Sequence, residues 1–255
     1  IVSRGELLST RILSDYLSFI NIDNDWVDAR KLISTNDDFR DGKVNWVFTE
    51  ENVKMHPFAK ISVTQGFIAS GLTDKTTTLG REGSDFSAAI LAYSTKAKSV
   101  TIWKDVPGLL NADPKYFSKT ELIAQISYRE AVELAYYGAS VIHPKTIKPL
   151  ENKEIPLYIK SFKAPKNAGT VIAVDRKYDQ DVSSFIFKMN QVLISISPRD
   201  FSFIEEAQLK EVFDLMYNSG IKVNLMQNSA LSFSFCVDGS SKWKGAVEKL
   251  QSNFR

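Results

Sequence analysis

Apolar residues recur at helical spacing through GELLSTRILSDYLSFI (5–20), which predicts an amphipathic helix. ISVTQGFIA (61–69) is a β-rich apolar run and predicts a buried strand leading into a turn. SDFSAAILAYSTKA (84–97) returns to helical spacing, with Ser84 or Asp85 placed to cap it. SVTIWKDV (99–106) is β-branched and predicts the next strand, closed by the Pro107-Gly108 turn. Ser127-Tyr128-Arg129-Glu130 is a capping box, so a helix is expected from about residue 128 to Gly138. VIHP (141–144) and IPLYIKSF (155–162) are strand-like, separated by a short helix that His143-Pro144 starts. Alternating strands and helices predict an α/β fold built of βαβ units with a mostly parallel sheet.

Past Gly169-Thr170 the rhythm changes. VLISISP (192–198) is a strand, EEAQLKEVFDLMYNSG (205–220) a helix, and IKVNLMQ (221–227) and ALSFSFCV (230–237) two strands before a final helix, KWKGAVEKLQ (242–251). The order β-α-β-β-α is a ferredoxin-like unit one strand short, and its open sheet edge is expected to be filled from outside these residues or by a partner chain. The polar stretch AVDRKYDQD (173–181) marks the boundary, giving domains at 1–174 and 183–255.

Composition narrows the chemistry. The 255 residues carry 32 Lys and Arg against 30 Asp and Glu, a net charge of +2 with the signs interspersed, which argues against nucleic-acid or anionic-membrane partners. No apolar run is long enough for a membrane span, and a cytoplasmic protein is expected. Cys236, within an apolar run, reads as a buried inert thiol, and two histidines with one cysteine make no zinc pattern. Trp26, Trp46, Trp103 and Trp243 read as core or half-buried packing residues. Any catalysis must then run on Lys, Arg, Asp, Glu and backbone amides.

Two clusters offer those groups. TTTLGREGSDFSAAILA (76–92) feeds a glycine-bearing loop into a helix N-terminus, where free amides and the helix dipole favour an anion. Arg81 adds a planar fork for a carboxylate or phosphate, and Asp85 is placed to orient a charged ligand. The plainer reading keeps Ser84 and Asp85 as caps and Arg81 as a surface residue. TIWKDVPGLLNADPK (101–115) ends a strand in Lys104-Asp105, and then offers Asn111, Asp113, Pro114 and Lys115. Ligands in open α/β sheets bind beyond strand carboxyl ends, although standard turn formers would account for the same residues.

TQGFIAS, TTTLGREGSDFSAA, IWKDVPGLLNADP, ISYREAVELAYYGASVIHPKTI and IPLYIKSF, in this order, resemble the aspartate kinases of the amino-acid kinase superfamily over residues 2–172. WKDV is similar to the plant-like, lysine-sensitive branch, and the tail from about 183 resembles an ACT regulatory domain. The resemblance implies a three-layer sandwich and transfer of the ATP γ-phosphoryl group to the side-chain carboxylate of L-aspartate, a first step of lysine, threonine and methionine synthesis. It implies that Arg81 grips a substrate carboxylate near Ser84, that Phe67 lines the pocket, and that Glu6 sits near the substrate amino group. Asp85 would organise the transfer site, with Lys104, Asp105, Leu110, Asp113, Pro114, Lys115 and Ser140 around the nucleotide. Mg²⁺ is expected on the ATP phosphates, an amino-acid effector at Asn224, Asn228 and Ser229, and a homodimer through the ACT domains.

The departures carry expectations of their own. The family's Lys-Phe-Gly-Gly phosphate loop is not found in these residues, so the chain alone is expected to be inactive. Ser140 stands where many members carry a lysine, and Lys115 replaces an arginine, keeping the charge without the fork. Asn224 and Asn228-Ser229-Ala230 stand where lysine-sensitive members have an Asp and a Thr-Ser-Glu run, which argues against lysine as the effector. The alternative is an effector-binding regulatory subunit or dimerisation module.

Overall fold

The computed structural model describes residues 2–137, 141–177, 179, 183–200, 202–239, 242–251 and 254–255. They fall into two compact units, Ile1–Ile186 and Phe187–Arg255.

The first unit opens with helix α1 (Val2–Phe19), strand β1 (Asp25–Val27), helix α2 (Trp46–Met55) and strand β2 (Ser62–Thr64), with β1 and β2 paired in parallel. The strand expected over 61–69 is broken. Phe67 turns the backbone at φ 71, and a second strand, β3 (Ile68–Ser70), pairs antiparallel with β4 (Thr76–Thr78) instead. Buried Gln65 lies just before this turn, and its side chain accepts the Ala29 N–H at 2.8 Å and donates to Thr10 Oγ1 at 2.9 Å. A buried amide needs such partners, and both come from elsewhere in the chain.

Helix α3 (Gly83–Thr95) and strand β5 (Val100–Lys104) follow, then β6 (Gln125–Ser127), α4 (Tyr128–Tyr137), α5 (Pro144–Asn152), β7 (Leu157–Ser161) and β8 (Thr170–Ala173). Ser127 Oγ accepts the Glu130 N–H at 3.2 Å, one half of the expected capping box, while the Ser127 N–H donates to Asp179 Oδ1 and not to Glu130. Residues 141–144 are not a strand, because His143 is the extended N-cap of α5 and its Nδ1 accepts the Lys145 N–H at 3.1 Å. The four-stranded sheet runs β5-β7-β8-β6, parallel at β5/β7 and β6/β8 and antiparallel at β7/β8.

One face of this sheet carries the core. Val100, Ile102, Ile126, Leu157, Ile159 and Ile172 meet Ala89 of α3, Leu134 of α4 and Ile147 of α5. Burial alternates along β5 and β7 with the period of two that a one-sided sheet demands. Trp103 faces the other way and is 44% exposed, contrary to its expected packing role, with the Phe162 ring edge-on at 6.3 Å.

The second unit contains β9 (Gln191–Ile196), α6 (Glu206–Asn218), β10 (Val223–Asn228), β11 (Phe233–Asp238) and α7 (Lys242–Leu250). Its antiparallel sheet has the order β10-β11-β9. Phe233, Phe235 and Val237 pack with Val212, Met216, Leu250 and Phe254. Cys236 alternates out of that core and is half-buried rather than buried, opposite Leu193 and Leu225. The edge expected to be open is partly taken by the chain itself: Arg255 and Ser197 exchange backbone hydrogen bonds at 3.1 and 3.0 Å.

Candidate functional site

The loop after β4 is braced from beneath. Thr78 N–H donates to Phe39 O at 3.1 Å, Thr78 Oγ1 donates to Arg40 O at 3.1 Å, and Gly42 N–H returns a bond to Thr78 O at 2.8 Å. Gly80 follows at φ +75, where a Cβ would run into Asp41 Oδ1. Asp41 sits between Lys145 of α5 at 2.6 Å and Lys43 at 2.7 Å. The hydrogen bond from Lys145, then that from Lys43, holds its carboxyl down at about 2.

Helix α3 then starts without a side-chain cap. Its N-cap is Glu82, left-handed at φ 53, and not Ser84 or Asp85, which lie inside the helix. The first-turn amides therefore keep their capacity for an outside acceptor. Phe67 is fixed against this helix start, its N–H donating to Ser87 Oγ at 2.8 Å. A Cβ on Gly83 would stand 2.6 Å from the Phe67 ring, so only glycine lets the ring come so close. Arg81 and Ser84 are exposed at the same end, and among the described residues the Arg81 guanidinium has no hydrogen-bond or ion-pair partner. Glu82 carries a buried Oε2 with no hydrogen-bond partner.

The two sequence clusters meet at one ion pair. Lys104, at the carboxyl end of β5, lies 2.8 Å from Asp85 in the first turn of α3, with side-chain exposures of 22% and 18%. Asp105 beside it is exposed. Residues 109–123 form a hairpin: Ile123 N–H donates to Leu109 O at 2.9 Å, Leu110 bridges Leu122, and Asn111 N–H donates to Glu121 O at 2.9 Å. Its base is pinned by buried Thr170, whose hydroxyl accepts from Leu109 N–H at 2.8 Å and donates to Ile123 O at 2.7 Å. At the tip Asp113, Pro114 and Lys115 are exposed, and Asp113 Oδ1 accepts the Lys115 N–H at 2.9 Å.

Phe67, Arg81, Ser84, Asp85 and Lys104 are thus gathered around the start of α3. Glu6 is half-buried on α1, with no hydrogen bond or ion pair from its carboxylate to any of them. Ser140 lies outside the described residues. In the second unit, Asn224 donates to Gln191 Oε1 at 2.7 Å and to Asp238 Oδ1 at 2.9 Å. Asn228 is at the other end of β10, and Ser229 is tied to Ser232 in the turn, so these three residues share no cluster. Hydrogen bonds from Gln191, Lys188 and Asn224 hold the Asp238 carboxyl down at about 2.

Asp41, Lys145 and Glu82 were not singled out from sequence. Asp41 lies in a polar run, DDFRDGK (37–43), that reads as an ordinary loop, and only the Arg-Glu-Gly placement hinted at Glu82. Among the described residues, no group of three or more His, Cys, Asp or Glu is placed to hold a metal ion, and no helix is long and apolar enough to cross a membrane.

Residues 1–161 match the model of the amino acid kinase family. Lysine-sensitive aspartokinase 3 of Escherichia coli (strain K12) is 33% identical over 242 residues, covering 93% of this chain and 54% of that protein. The chloroplastic aspartokinase 1 of Arabidopsis thaliana is 33% identical over 252 residues, covering 95% and 44%. The chain spans about half the length of these relatives. The crystal structure of E. coli aspartokinase III with lysine and aspartate (T-state) superposes on the whole chain and 59% of its own, with a TM-score of 0.83 at 32% identity. The same enzyme with aspartate and ADP (R-state) gives 0.79 at 31% identity, with the same coverage.

Proposed function

We propose a function from one premise: the chain belongs to the amino acid kinase family, and within it supplies the aspartate loop and nucleotide hairpin of an ATP-dependent aspartate kinase. The enzyme transfers the γ-phosphoryl group of ATP to the side-chain carboxylate of L-aspartate, giving 4-phospho-L-aspartate and ADP. The observation that carries this reading is the Arg81 fork, without a partner among the described residues, at an uncapped helix start beside the Asp85–Lys104 ion pair. Identity to aspartokinases and the aspartate and ADP complexes of the E. coli enzyme support it.

The attacking carboxylate is already ionised at neutral pH, so the site needs positioning and charge neutralisation rather than a strong base. Arg81 and the first amides of α3 take a carboxylate of aspartate, with Ser84 beside it and Phe67 as the apolar wall. Glu6 is assigned to the ammonium group. Asp85 holds Lys104 facing the phosphates, while Asp105, Leu110, Asp113, Pro114, Lys115 and Ser140 surround the nucleotide. A Mg²⁺ would be carried by the nucleotide phosphates and water. Bound there, it would neutralise phosphate charge. The β-α-β-β-α second unit is assigned to an ACT domain that takes an amino-acid effector and pairs with a second copy.

Calorimetric titration with L-aspartate and with Mg-ADP tests the reading. Both should bind, and Arg81→Ala should weaken aspartate at least about tenfold while leaving ADP nearly unchanged. Aspartate affinity indifferent to Arg81 rejects the assignment. Binding of an effector by a chain that takes neither aspartate nor nucleotide would favour a regulatory subunit, a reading that the βαββα unit also supports.

A further inference from the structure

The nucleotide hairpin does not stand alone. Residues 183–186, the last of the first unit, run along its outer strand immediately before Phe187 begins the second unit. Phe185 N–H donates to Asn111 O at 2.6 Å, and Phe185 bridges Ala112 in parallel. Asn111 Nδ2 donates in turn to Ser183 O at 3.4 Å. The Phe185 ring lies 6.1 Å from the Phe117 ring, tilted by 31°, just past the tip that bears Asp113, Pro114 and Lys115. Asn111 is the joint of this arrangement, because its Oδ1 also accepts the Glu121 N–H at 2.8 Å from the opposite arm. One asparagine therefore ties both arms of the hairpin to the departing chain.

We propose that residues 183–186 are a strap that seats the nucleotide hairpin, with Phe185 and Asn111 as positioning residues for the nucleoside diphosphate. The proposal rests on the nucleotide reading given above. A two-stranded hairpin is only marginally stable by itself, and the bridge at Phe185 together with its ring contact is what ties this tip down. Asp113, Pro114 and Lys115 reach the ligand from that tip, so a strap that lifts away leaves their chemistry intact and misplaces it. The strap continues without interruption into the second unit.

The test is titration of Mg-ADP and, separately, L-aspartate into the 255-residue chain and its Phe185→Ala, Phe185→Pro and Phe185→Leu variants. Phe185→Pro removes the N–H that Asn111 O accepts, and Phe185→Ala removes the ring. Both should weaken ADP about tenfold with aspartate affinity unchanged, and Phe185→Leu should restore most of the loss. Hydrogen exchange at residues 109–123 should quicken in the first two variants and not in the third. ADP affinity unchanged by both Ala and Pro overturns the strap. Equal losses for ADP and aspartate with a lowered melting temperature also overturn it, since that pattern is general destabilisation. A parent chain that binds aspartate but no ADP overturns the nucleotide reading itself, and the strap with it.

Discussion

Asp41 holds Lys145 and Lys43 at once, beneath the left-handed Gly80 that opens the Arg81 loop. Its carboxyl is depressed from 3.8 to about 2 by those two lysines. A depressed carboxylate stabilises the fold fully above its unfolded value and loses that contribution as pH falls through the folded one. The window here is therefore about pH 4 down to about 2. With 41% of the side chain exposed, solvent screens the pair, and Asp41→Asn should cost only about 1 kcal/mol at neutral pH. Urea unfolding of the two proteins should differ most above pH 4 and converge as pH falls. A gap that stays constant with pH would mean that Asp41 acts through packing alone.

Helix α3 and the 109–123 hairpin each depend on a partner far along the chain. Thr170 on β8 is fully buried and satisfies Leu109 N–H and Ile123 O together, which closes the hairpin base over the sheet. Thr170→Val keeps the shape but orphans two buried backbone groups, at a cost of about 2–3 kcal/mol. The denaturant midpoint should fall accordingly, with faster exchange at the Leu109 amide; a loss below about 0.5 kcal/mol would show that water replaces the hydroxyl. The longer helices and the strand β5 were legible, because helical and strand periods are local properties of the sequence, while the three- and four-residue strands β1, β6 and β8 and the helix α2 carry too weak a period to read. The break at Phe67 was not legible either, since its left-handed turn hands the chain to an antiparallel partner, β4, that no local period announces. The same holds for 141–144, which are apolar enough for a strand but serve as the approach to the His143 cap.

The two units have separate cores, one built on the β5-β7-β8-β6 sheet and one on the β10-β11-β9 sheet. Pairing of second units between copies would make the protein a dimer at micromolar concentration. Light scattering should return twice 28.7 kDa for the 255-residue chain, and a monomer at that concentration would remove the pairing assigned to the second unit. The sequence boundary at 173–181 and the division between Ile186 and Phe187 differ for a physical reason. Polar composition marks where the chain leaves its sheet, yet Asp179 still accepts the Ser127 N–H at 2.7 Å and Phe185 still pairs with the hairpin.

The longer helices α1, α3, α4, α6 and α7, the glycine-bearing loop before α3, the charged end of β5 and the βαββα tail were determined by sequence alone, through local periodicity and turn chemistry. Tertiary structure decided which charges meet. Asp85 finds Lys104, Asp41 reaches Lys145 across 104 positions, and Phe185 returns to Asn111. Ion pairs and strand partners carry no local period, so their choice waits until the core has closed the long loops that bring them together.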